Sequence, residues 1–227
     1  MASPHDRQPL LAAGAPLAEA AGAVVLAHGR GATAQSILQF AELFERPDLA
    51  YLAPQAAGGA WYPASFLAPL DANEPGLSGG IAALLRAVAQ AEAAGVERRR
   101  VVLGGFSQGA CLATETAARH ATRWGGVLAF SGGLLGTGPG APDAPRLRGM
   151  GGSYAEKAFD YTGDLEGTPV FVGCSDVDPH IPLARVERTA EVFRQLGGEV
   201  DLRVYPGFGH DVNADEVEAA RALLSAL

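Results

Sequence analysis

Short, uninterrupted apolar runs alternate along the chain with longer stretches in which apolar residues recur every three or four positions. That alternation predicts an α/β fold, with a mostly parallel central sheet flanked on both faces by helices. The runs place strands at 23–27, 49–53, 101–104, 126–130, 170–173 and 200–205. The last of these alternates Asp201 and Arg203 with Val200, Leu202 and Val204, so one of its faces or edges meets water. Between the runs, Leu77, Ile81, Leu84, Leu85 and Val88 share one helical face, as do Val186, Ala190, Phe193 and Leu196. A final helix is announced by Asn213 with Glu216 three residues on, followed by the stripe Val217, Ala220, Leu223 and Leu224. Prolines and glycines mark 54–76 and 131–152 as loops, and no internal repeat is present. The expected organisation is one α/β domain over 1–227 carrying two decorated loops.

Composition narrows the function classes. Of the 227 residues 48% are hydrophobic and 19% charged, which is enough apolar surface for a sizeable core. Lys and Arg number 17 against 25 Asp and Glu, a net charge of −8, and no basic cluster exceeds Arg98, Arg99 and Arg100. Such a surface repels nucleic acid and anionic membranes, so neither is an expected partner. No apolar run reaches the roughly 18 residues a membrane-spanning helix needs. The first 27 residues are rich in Ala and Leu. They also hold Pro4, Pro9, Pro16 and Glu19 and run directly into a loop at His28, which favours mature protein over a signal peptide. With two cysteines, Cys111 and Cys174, a domain of this size needs no disulfide, and a cytoplasmic setting is expected.

The chemistry gathers around Gly105-Phe106-Ser107-Gln108-Gly109, a G-x-S-x-G motif. An apolar run precedes it and an Ala-rich helical segment follows, the strand, sharp turn and helix that such a nucleophile requires. Strand and helix approach each other closely there, so the flanking residues must lack Cβ. The helix N-terminus adds backbone N–H groups and positive dipole beside the reacting oxygen.

A serine hydroxyl becomes nucleophilic only when a base takes its proton, and the base must be held by a carboxylate. Asp178 lies just past the run at 170–173 and His210 just past the last strand, so Ser107, Asp178 and His210 follow the chain order of α/β-hydrolases. Asp176 is a rival acid and His180 a rival base. Asp178 is preferred because Pro179 and Pro182 stiffen its loop, and His210 because Gly207 and Gly209 let its loop reach the serine. An oxyanion hole needs two N–H donors. Gln108 supplies one, and Arg30, in His28-Gly29-Arg30-Gly31 after an early strand, the other. If the Arg30 side chain enters the site, anionic substrates should be favoured. His28 is read as a brace for this loop, and Cys111 as a small buried residue one helical turn past Ser107. Trp61, Tyr62, Phe66 and Leu67 bring apolar bulk to a loop and are the candidate substrate-binding residues. No metal pattern is found and no cofactor is required.

These segments resemble the phospholipase/carboxylesterase branch of the α/β-hydrolases, to which acyl-protein thioesterases and bacterial carboxylesterases belong. The resemblance rests on His28 to Gly31, Gly105 to Gly109, Gly173 to Pro182 and Gly207 to His210, in that order. It implies an α/β-hydrolase fold without a large lid domain and hydrolysis of a small-molecule ester or thioester. It also implies Ser107 as nucleophile, Asp178 as acid, His210 as base, and Arg30 and Gln108 as oxyanion donors. Arg30 departs from the Leu-Gly pair usual in the thioesterases, and Ala60 to Pro63 with Asn73 to Pro75 is similar to a bacterial subgroup. The same triad also serves peracid release or carbon–carbon bond hydrolysis, and a hydrolase fold can bind ligand without turnover. Hydrolases of this size occur as monomers and dimers, so a homodimer is compatible with the sequence.

Overall fold

The computed structural model describes residues 3–137 and 157–227. Seven strands form one sheet in the order β1-β3-β2-β4-β5-β6-β7: β1 (Leu10–Gly14), β2 (Ala23–Ala27), β3 (Ala50–Pro54), β4 (Val101–Phe106), β5 (Gly126–Phe130), β6 (Pro169–Ser175) and β7 (Glu199–Tyr205). All neighbours are parallel except β1, which runs antiparallel to β3 along one edge.

The side-chain period of two sorts each buried strand into two cores. On one face Ala23, Val25, Leu103, Ala129 and Val172 pack under α2 (Gly76–Ala93), α3 (Gln108–Arg119) and α4 (Leu183–Gln195). On the other, Val24, Leu26, Val102, Leu128, Phe130 and Phe171 pack under α1 (Ala34–Ala41) and α5 (Ala214–Leu224). The expected stripes supply these contacts. Leu77, Ile81, Leu84 and Val88 are buried from α2, and Val186, Ala190 and Phe193 from α4. Asn213 caps α5, its side chain accepting from the Glu216 N–H at 3.0 Å while the Glu216 carboxylate accepts from the Asn213 N–H at 2.9 Å. On β7, Glu199 and Asp201 face water as the alternation requires, but the pattern breaks after Leu202, where Arg203 is half-buried and Val204 is exposed.

Two elements lack a sequence expectation. β1 exists because β3 offers it a pairing edge, since only Leu10 and Leu11 are even partly buried. The eight residues of α1 are set by a box in which Thr33 and Ser36 cap each other. Loop 54–76 holds only short 3-10 turns, at Ala57–Gly59 and Leu70–Asn73. Of the expected loop 131–152, the part beyond Thr137 lies outside the described residues. Residues 131–137 are buried, and Glu115 of α3 ties both sides of this region down by accepting from Leu135 N–H at 3.0 Å and Tyr161 O–H at 2.8 Å. Among the described residues no helix is long and apolar enough to cross a membrane.

Candidate active site

Ser107 sits between β4 and α3 with φ 56° and ψ −119°, a left-handed conformation that a residue with a side chain rarely adopts. The turn is tight enough to forbid neighbours with a Cβ. One on Gly105 would lie 2.5 Å from the Ala27 carbonyl oxygen, and one on Gly109 would overlap the Ala27 carbonyl. The Ser107 N–H donates to Phe130 O at 2.9 Å, pinning the turn to β5.

Ser107 Oγ lies 2.9 Å from His210 Nε2, and His210 Nδ1 lies 2.7 Å from Asp178 Oδ2. A carboxylate only accepts, so Nδ1 carries the proton and Nε2 is left to accept from the hydroxyl. The other Asp178 oxygen accepts from the His180 N–H at 2.8 Å and the Ile181 N–H at 3.0 Å. Burial by itself would push the Asp178 carboxyl up. The bonds from His210, His180 and Ile181 outweigh it and hold the group below the usual carboxylate range.

The rival residues take no part in this relay. Asp176 accepts from the Gly207 N–H at 2.7 Å, and Ser175 Oγ accepts from the Gly209 N–H at 2.9 Å. The two bonds clasp the acid loop to the histidine loop. The latter turns through Gly207 at φ 70° and Gly209 at φ 91°. His180 sets its exposed ring edge-on against His210, centroids 4.9 Å apart.

Gln108 opens α3, so its N–H has no carbonyl one turn back in the helix and is available at the serine turn. The loop that carries Arg30 is braced by His28, fully buried, whose Nδ1–H donates to Gly29 O at 2.7 Å while Nε2 accepts from the Ala56 N–H at 3.1 Å. Burial pushes the His28 imidazole below its ordinary value and favours this neutral form. The Arg30 side chain does not enter the site as a free cation. Its guanidinium donates to Tyr62 O at 2.8 Å, Ala64 O at 2.7 Å and Pro63 O at 3.1 Å. Gln108 reaches the same segment, Oε1 accepting from the Trp61 N–H and Nε2 donating to Tyr62 O, both at 2.9 Å.

Ser107 and His210 open into a cavity of about 520 Å³ whose apolar wall is Tyr62, Phe66, Phe106, Cys111 and Ile181. The four candidate substrate-binding residues therefore divide. Tyr62 and Phe66 line the cavity, whereas Trp61 and Leu67 are fully buried in the core and do not. Trp61 is held by its own polar handle, Nε1–H donating to His28 O at 2.8 Å. His5 completes the anchor, its Nε2–H donating to Trp61 O at 3.0 Å and its Nδ1 accepting from the Ala57 N–H at 3.0 Å. No local pattern marks His5, since its partners lie more than 50 residues away. Cys111 is fully buried at the cavity floor, and burial pushes its thiol up to about 12, so it stays neutral.

Comparison with known proteins agrees with this architecture. A structure of a phospholipase/carboxylesterase from Dyadobacter fermentans superposes with a TM-score of 0.85 and 35% identity, covering 96% of each chain. Acyl-protein thioesterase 1 of Gibberella zeae is 28% identical over 130 residues, 57% of this chain, and the match spans about half of that relative's length. Acyl-protein thioesterase 1 of Saccharomyces cerevisiae is 27% identical over 186 residues, 77% of this chain and 73% of its own. The phospholipase/carboxylesterase family model matches residues 12–139, which include the loop from His28 to Gly31, the serine turn and the strands that carry them, and the chain belongs to that family.

Proposed function

We propose that the protein hydrolyses carboxylic esters or thioesters through an acyl-enzyme on Ser107. The observation that carries this reading is the unbroken relay from Ser107 Oγ to His210 at 2.9 Å and from His210 to Asp178 at 2.7 Å. His210 Nε2 takes the hydroxyl proton as Oγ attacks the acyl carbon, and Asp178 stabilises the resulting imidazolium. The N–H groups of Arg30 and Gln108 hold the developing oxyanion. His210 then returns the proton to the leaving oxygen or sulfur as its bond to carbon breaks. Water, activated by the same base, cleaves the acyl-enzyme and restores the serine.

The acyl chain occupies the cavity beneath Tyr62 and Phe66. Its apolar wall suits a neutral hydrocarbon chain, and the likeness to two acyl-protein thioesterases supports including thioesters among the substrates. The test is a p-nitrophenyl ester series from acetate to decanoate, with wild type and Ser107→Ala and burst kinetics on the best substrate. Turnover with a burst that vanishes in the variant is expected. A folded wild type that turns over no ester, or a Ser107→Ala variant as active as wild type, would overturn the assignment.

A further inference from the structure

A second hollow, of about 330 Å³, opens beside the catalytic cavity on the α1 and α5 side of the sheet. Its walls include Ile37 and Phe40 from α1, Phe106 from the end of β4, and Val212 and Val217 at the start of α5. Gly29, Ala32 and Phe106 border both spaces, so the two adjoin at the loop that presents the Arg30 N–H. Phe40, Phe106, Val212 and Val217 are each left partly open to water, and Leu43 at the outer end is 50% exposed. The catalytic cavity alone does not account for this apolar surface.

We propose that this hollow is the leaving-group subsite and takes the neutral, apolar alcohol portion of an ester, an inference that rests on the ester-hydrolase reading above. A bound ester has two arms on its carbonyl carbon, and the arm that departs must place its oxygen at His210 Nε2 to receive the proton. Phe106 stands between that imidazole and the hollow: its ring packs on His210 with centroids 5.0 Å apart and also lines the hollow, and Asp211 and Val212, the residues after His210 in the chain, form the hollow's wall. Tyr62, Phe66 and Cys111 line only the first cavity, together with Ser107 and His210, and that space takes the acyl arm. Exposed Asp211 at the rim sets a carboxylate against anionic leaving groups.

The test holds one arm constant while the other grows. kcat/KM covers every step through departure of the alcohol. For wild type it should rise about tenfold from methyl to hexyl butyrate as methylenes enter the hollow. Where hydrolysis of the shared butyryl-enzyme limits turnover, kcat should converge. Val217→Asp, and Leu43→Asp at a more exposed position, should flatten the alcohol series while the slope from methyl acetate to methyl hexanoate is retained. A flat alcohol series in an active wild type, or variants that flatten both series alike, would overturn the subsite and leave the hydrolase assignment standing. If folded wild type turns over no ester at all, the assignment fails and the subsite fails with it.

Discussion

The Arg30 guanidinium donates to the Tyr62 carbonyl at 2.8 Å and lies 5.9 Å from the centroid of its ring, so the proposed oxyanion loop and the roof of the acyl cavity are one mechanical unit. Gln108, whose N–H is the other proposed donor, binds the same Tyr62 carbonyl through its side chain. Displacement of the roof therefore moves both donors.

Replacing Arg30 tests this coupling. A lysine keeps the charge but cannot address three carbonyls with a planar fork. Arg30→Lys and Arg30→Ala should both lower kcat about tenfold or more through misplaced donors, with less effect on KM. Because the guanidinium is already bonded to Tyr62, Pro63 and Ala64, the ratio of anionic to neutral ester turnover should not move. An anion preference abolished in Arg30→Ala would show that the side chain meets substrate instead.

Asp178→Asn should lower kcat/KM by about 10⁴ with little change in fold, because an amide can donate to His210 and favour the tautomer unable to take the serine proton. Asp176→Asn, whose partner is the Gly207 N–H, should lose far less. Steady-state kinetics on one ester, with circular dichroism of each variant, separates the two carboxylates.

The division of the aromatic loop predicts different consequences for neighbouring residues. Phe66→Ala enlarges the acyl cavity and should shift the optimum of the ester series to longer chains. Trp61→Phe removes the bond to His28 O and should lower stability by about 1 kcal/mol while leaving the chain-length optimum in place. Thermal melts and the acyl series together check both.

Glu216 gives the fold a pH dependence. Its carboxylate is buried against Gly173, one oxygen has no hydrogen-bond partner, and burial raises its pKa from an ordinary 4.5 to about 7. Between these values the folded chain binds more protons than the unfolded chain. Stability therefore falls as pH rises through this window and levels off above it. Glu216→Gln can still accept from the Asn213 N–H in the capping box. It should remove this slope and raise stability at pH 8 by on the order of 2 kcal/mol. Denaturant unfolding at pH 5 and pH 8 measures the difference, and parallel curves for the two proteins would refute it.

Much of the molecule was legible in one dimension because its determinants are local. Buried parallel strands must be continuous apolar runs, so β2, β4, β5 and β6 stand out, and their alternation already sorts Val24 from Val25 into opposite cores. The serine turn is equally local, since steric exclusion at Gly105 and Gly109 writes itself as missing side chains. The acid loop and His210 are legible because strands in a parallel sheet end on one edge, which puts residues far apart in sequence within reach of one serine.

Only the tertiary structure decided what depends on distant partners. β1 is a strand because β3 has an open edge, and Trp61 is core because His28 and His5 receive it. The Arg30 charge is spent on three carbonyls rather than offered to a substrate. Asp176 and Asp178 are two residues apart in the same loop, and Pro179 and Pro182 favour Asp178 without fixing which carboxylate faces His210. Backbone direction through that loop chose Asp178 for the imidazole and Asp176 for the Gly207 N–H. Side-chain type and spacing reveal which groups can act, but a hydrogen bond is directional and short in range, so which of them meet is settled only when the chain has folded.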